Sequence, residues 1–249
     1  MTATTSGPPL PDQHAAVAPP SAAGWASDTG RTYGRLIGSL FLAGFVTYGV
    51  GFALVSSVVD TPDFITSVSA HRTTLVLGAF LMLLNTAVDI GKAVLFFPIV
   101  EKHSKRTALT YLSAMVFEVA LLAVGGLCLL SLIPLSEQLD AGQVSAELAR
   151  SVGSLAVDSN TMAYQIGQAG LAFGAFFLCV LLYRTRLVPR FLAAWGVVGY
   201  AVHFTGAVAE IFGSHVSLVL LIPGALFELT FGVWLLVKGV RTQPHAQGS

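Results

Sequence analysis

Five ionisable residues lie inside long apolar runs of this chain: Asp89, Lys92, Glu118, His203 and Glu228. Carboxyl, ammonium and imidazole groups pair with one another, bind cations and pass protons. In hydrocarbon each ionised one costs about 2.5–3.5 kcal/mol even on the forgiving insertion scale. One lysine stands against three carboxyls, so at least one carboxyl must be protonated, or neutralised by a bound cation or by His203. Asn85, Asp89 and Lys92 fall at i, i+4 and i+7 and form one stripe on a helical face, which must look toward protein or water and not toward lipid. Glu118, Glu228, Asp89, Lys92, His203 and Asn85 are therefore the candidate residues for holding a small solute or ion.

Other chemistries leave no trace. The chain has no HExxH, no GxSxG and no phosphate-binding glycine loop, and no metal-ligand spacing among its six histidines and two cysteines. No catalytic residue, metal or cofactor is assigned. Zero formal net charge gives no basic surface for nucleic acid.

The elements that must carry these residues are membrane helices. A chain of 249 residues that is 54% hydrophobic and only 10% charged, with a mean hydropathy of +0.75, is too apolar for an ordinary soluble domain. Six apolar spans are expected at 36–59, 75–100, 108–135, 162–183, 191–212 and 216–237, each long enough to cross a bilayer. The basic residues fix their direction. Arg31, Arg35, Lys102, Lys105, Arg106, Arg184, Arg186, Arg190, Lys238 and Arg241 fall on one side, and only Arg72 and Arg150 on the other. The positive-inside rule then makes both termini cytoplasmic, in the cell membrane. Counted from the cytoplasmic ends, Asp89, Lys92, Glu118, His203 and Glu228 all lie roughly 12–18 Å deep, in one layer near the midplane.

Outside the spans, residues 1–30 read as a disordered tail rich in Ala, Pro, Ser and Thr, without the apolar run of a signal peptide. Residues 31–240 form the membrane domain and 241–249 a short cytoplasmic tail. In the longer outer loop, Val144, Leu148, Val152 and Leu155 recur at helical spacing and predict a short amphipathic helix on the outer surface. Gly34 with Gly38, Gly170 with Gly174, and Gly196, Gly199 and Gly206 mark smooth faces for close packing. Pro223 and Gly224 are expected to kink span six just before Glu228. Cys128 and Cys179 fall near opposite faces, too far apart for a disulfide.

Four stretches carry a family resemblance: Ala93-Val-Leu-Phe-Phe-Pro98 with Glu101-Lys-His-Ser104, Phe117-Glu118 with its apolar continuation, Tyr183-Arg-Thr-Arg-Leu-Val-Pro-Arg190, and Pro223-Gly-Ala-Leu-Phe-Glu-Leu229. In this order they resemble the bacterial membrane family catalogued as domain of unknown function 4386. The resemblance implies a six-helix cytoplasmic-membrane protein, with Asn85, Glu118, Pro189 and Glu228 at motif positions, and carries no activity. One departure stands out: where the family tends to have an arginine one turn before the span-three glutamate, this chain has Met115, and Lys92 replaces an apolar residue on span two. Lys92 can pair with Asp89 one turn away or with a carboxylate on span three; set beside the family pattern, the departure leads to the expectation that the cationic partner of Glu118 has moved to span two.

Phe117-Glu118 and Phe227-Glu228 also occupy matching places in two three-span halves, which must run in opposite directions because three is odd. Inverted halves with polar groups at the midplane are a transporter habit. The fold expected is all-α, a six-helix transmembrane bundle. Its leading function is handling of a small solute or ion, with proton-coupled transport as the form. The alternatives are a structural or regulatory membrane component and, third, an intramembrane enzyme.

Overall fold

The structure is a computed structural model. It describes residues 22–239, with side chains from residue 31 onward. The tails expected at 1–30 and 241–249 therefore lie largely outside the described residues. The helices are α1 (Ala22–Val59), α2 (Phe64–Ala70), α3 (Arg72–Glu101), α4 (Lys105–Leu130), α5 (Leu132–Asp140), α6 (Ala146–Thr185), α7 (Arg190–Ile211) and α8 (Ser217–Lys238), and no strand occurs among the described residues. Six helical segments are long and apolar enough to cross a membrane: α1, α3, α4 continued by α5, α6, α7 and α8. α1 begins at Ala22, inside the stretch expected as tail. α4 and α5 are separated only by Ser131, because Pro134 has no N–H to offer the Leu130 carbonyl one turn back.

Each spanning helix packs on its neighbours in sequence, and α1 closes on α8, so the six make a ring around a central space. Two clusters hold the ring. At the basic end, Phe41, Phe96, Tyr111, Phe227 and Phe231 are buried with Ile37, Leu192 and Leu235. At the other end, α2, α5 and the first turns of α6 form a cap, in which Ile65, Val68, Leu132 and Ala149 pack beneath the ends of α1 and α3. Arg72 pairs with Glu137 at 2.5 Å and Arg150 with Asp63 at 2.7 Å across the cap surface. All four side chains are more than half exposed, so these pairs add little and the apolar cluster carries the stability.

The separate amphipathic helix expected in the outer loop is not there. α6 runs unbroken for 40 residues and takes in Leu148, Val152 and Leu155, while Val144 lies in the turn before it. The face differs too: Leu148, Val152 and Leu155 are exposed, while Ala149 is buried and Gly153 lies against Ile65 and Phe64. Small side chains let α6 approach α2, and this close packing overrides the larger apolar stripe.

At the basic end, Ser104 caps α4 by accepting from the Thr107 N–H at 3.2 Å. The loop between α6 and α7 turns through Arg186, whose φ is +56°, and tucks Leu187 and Val188 into the core before Pro189 starts α7. The expected glycine contacts are present: Gly170 meets Phe117 and Gly174 meets Ala114 on α4, and Gly199 faces Gly224 on α8. α8 continues through Pro223, whose carbonyl accepts from Trp195 Nε1 at 3.2 Å. Cys128 and Cys179 are free thiols.

Candidate functional site

The central space is a cavity of about 570 Å³ that receives side chains from all six spanning segments. It runs from Asp60 and Ser217 at the cap end down to Phe41, Asp89 and Lys92. A volume of this size is typical of small-molecule sites, about 300–1,000 Å³. Asn85, Asp89, Lys92, Glu118, His203 and Glu228 all line it. The layer expected from counting helical rise is thus one continuous wall.

On α3, Lys92 Nζ lies 2.5 Å from Asp89 Oδ1, and Asn85 Nδ2 donates to Asp89 Oδ2 at 2.6 Å. Thr47 on α1 donates to Asn85 Oδ1 at 3.2 Å, which ties the stripe to the neighbouring helix. The ammonium also sits over the Phe41 ring, 4.8 Å from its centroid. Every polar atom of Asp89 in this network has a partner, which is what a buried ion pair needs to offset desolvation.

The opposite wall is arranged differently. His203 Nε2 on α7 lies 2.9 Å from Gln168 Oε1 on α6, and Gln168 Nε2 donates to Glu118 Oε1 on α4 at 2.9 Å. Imidazole, amide and carboxyl form a relay across three helices. It ends at Glu118 Oε2, the one buried side-chain oxygen among the described residues without a hydrogen-bond partner. A buried carboxyl oxygen left unpaired is costly, so it calls for a proton, water or cation from the cavity. On α8, Glu228 accepts from the Tyr200 hydroxyl at 2.8 Å. Nearer the cap, Gln165 Nε2 donates to Ser217 Oγ at 3.0 Å, and Glu210 Oε2 accepts from the Ser217 N–H and so caps α8.

The proposed partnership of Lys92 with Glu118 is not what forms. Lys92 pairs with Asp89 on its own helix, and Glu118 is held by Gln168. Met115 is buried in the aromatic core and does not line the cavity. On α4 the cavity takes Glu118 and Leu122, one turn later, whereas Met115, one turn earlier, is covered by the aromatic core. Gln168, which is not among the candidate residues read from the sequence, is the link between His203 and Glu118. Thr47 and Tyr48 on α1 were not singled out at all. Tyr48 stacks on Tyr164 of α6 with ring centroids 5.5 Å apart, at the cavity wall. Their signal was a pair of aromatic residues on spans that are not neighbours in sequence, and sequence alone does not join such spans.

An aromatic floor closes the cavity toward the basic end. Phe41 meets Phe231 edge-on at 5.5 Å, Phe96 stacks on Phe231 at 6.0 Å, and Phe227 stacks on Phe231 at 5.3 Å. Toward the cap end, Asp60, Thr161 and Leu218 are exposed lining residues. Exposed lining residues thus lie on the cap side of the ion pair, and packed aromatic rings on its basic side.

A six-helix, multi-pass membrane bundle around an acidic central cavity is the class that fold and site define. Within that class the chain belongs to the family described as Domain of unknown function (DUF4386), whose profile matches residues 36–239. That range takes in all six spanning segments, the first from residue 36 onward, and all four resemblance motifs. No curated protein and no solved structure matches the chain. Of the four positions that the resemblance marks, Asn85, Glu118 and Glu228 line the cavity, and Pro189 begins α7 at the basic end.

Proposed function

We propose that the cavity binds a small solute or ion and exchanges protons with it at Glu118 and Glu228, as a proton-coupled transporter would. The observation that carries this reading is Glu118, a residue of the cavity wall whose Oε2 is buried without a hydrogen-bond partner. A dry, fully paired centre would instead favour helix pinning, and the Asn85, Asp89 and Lys92 network has that character. Glu118, with Oε2 left unpaired at the end of the Gln168 and His203 chain, does not. In this reading the protein sits in the cytoplasmic membrane with its basic end inside, so the cavity faces outward.

The binding test is thermal unfolding of the purified protein with a panel of amino acids, amines, organic acids, and monovalent and divalent ions. A ligand of the site should raise the wild-type Tm and leave Glu118→Gln and Glu228→Gln unmoved. In liposomes with a luminal pH dye, downhill movement of that solute should carry protons in wild type and not with Glu118→Gln. If nothing in the panel moves wild type while both amide variants lose several degrees, the carboxyls are structural and the site reading fails.

Orientation has its own check. In a background carrying Cys128→Ala and Cys179→Ala, Gln143→Cys at the cap should react with an impermeant maleimide on intact cells. His103→Cys, at the basic end, should react only after lysis. Both positions are exposed, so the reverse pattern would invert the topology.

A further inference from the structure

Resting on that reading of the cavity, we propose that its ligand is an amphipathic organic cation, admitted sideways from the lipid through a gap between the cap-end halves of α1 and α8. The two helices touch tightly only toward the basic end. There a Cβ on Gly38 would lie 2.5 Å from the Gly232 carbonyl oxygen, and Phe41 meets Phe231. Further along, the close contact of α1 is with α3, where Gly51 and Gly78 approach backbone to backbone. Between these two contacts a Cβ on Gly49 would meet nothing within 4 Å.

The result is a split in the ring. Gly49, Phe52 and Leu218, on the two helices that flank the gap, line the cavity and are themselves exposed, Phe52 at 54% and Leu218 at 76%. A residue that is both cavity wall and lipid-facing surface defines a lateral opening. Its apolar rim suits a molecule already partitioned into the bilayer and not a strongly hydrated ion.

Charge selects the headgroup. The lining holds four carboxyls, Asp60, Asp89, Glu118 and Glu228, against the single ammonium of Lys92. Asp89 is taken by Lys92. Glu118 Oε2 has no partner, so it is the natural seat for an amine or other organic cation. The apolar body of the ligand has Tyr48, Tyr164, Leu122 and Leu171 on the same wall. A bare metal ion fits less well, since no three His, Cys, Asp or Glu side chains converge as ligands among the described residues.

The test uses the full chain in lipid nanodiscs, with ethidium as a fluorescent lipophilic cation and choline as a polar one. Ethidium should bind wild type, and Glu118→Gln should weaken it by about tenfold to a hundredfold, the range expected for a lost charged hydrogen bond. Gly49→Trp and Leu218→Trp fill the gap from positions with free space or high exposure, so both should fold with unchanged Tm and slow ethidium association by about tenfold or more. Unchanged association in both tryptophan variants would overturn the lateral route. Binding of choline but not ethidium would overturn the amphipathic ligand while leaving a cation site in place. Neither cation binding, with an anion or neutral solute stabilising the protein in the thermal panel, would overturn the cation class and leave solute binding intact. A change of oligomeric state with Gly49→Trp, at unchanged ethidium binding, would show the gap to be covered by a second copy and would overturn the proposal.

Discussion

Lys92→Met should destabilise the protein by about 3–5 kcal/mol, because it strands the Asp89 carboxylate in a place only 4% exposed. Asn85 Nδ2 remains as a partner for Asp89, but an amide does not balance a charge. Adding Asp89→Asn to Lys92→Met should recover most of that loss, since the new amide still accepts from Asn85 and no charge is left behind. Unfolding of wild type, Lys92→Met, Asp89→Asn and the double variant, measured in one detergent, gives the coupling energy directly. A Lys92→Met protein as stable as wild type would remove the ion pair from the account of the fold. A double variant no better than the single would mean that Lys92 acts through its contact with Phe41 and not through Asp89.

The second large effect is at the α1–α8 seam. The added Cβ of Gly38→Ala falls 2.5 Å from the Gly232 carbonyl oxygen and 2.7 Å from the Leu236 nitrogen, both of them backbone atoms that cannot rotate away. The helices must separate, and the loss should be about 2–3 kcal/mol, the upper range for overpacking. Gly38→Leu should fail to assemble. Gly49→Ala, on the same helix in open space, should be neutral or stabilising by up to about 1 kcal/mol, since a helix gains from losing a glycine. Equal stability of Gly38→Ala and Gly49→Ala would show that the seam is not packed as described.

Much of this was legible in the chain before any coordinates. Span number, the shared depth of Asp89, Glu118, His203 and Glu228, and the smooth faces at Gly174 and Gly199 follow from hydropathy and helical rise alone, which are properties of single helices. Partner choice was not legible. Whether Lys92 reaches Asp89 or Glu118 depends on how α3 and α4 rotate about their own axes, and that is set by contacts with α1 and α6 far away in sequence. The same holds for Gln168, an unremarkable span residue until α7 brings His203 against it. The start of α6 was misjudged for a related reason. Its apolar residues have helical spacing, but the face it buries is chosen by the small residues Ala149 and Gly153.

The ring closes between the first and last spanning helices, and this has a bearing on synthesis. A ribosome delivers α1 first and α8 last, so the seam at Gly38 and Gly232 cannot form until the final span has been threaded. Until then, the buried carboxyl of Glu118 and the pair on α3 line a trough and not an enclosed space, and the unpaired flank of α1 has only α3 to lean on. Newly made chains thus pass through a stage with an acidic groove open along its length. A stop before residue 217 would leave them in that stage, as natural substrates for membrane quality control.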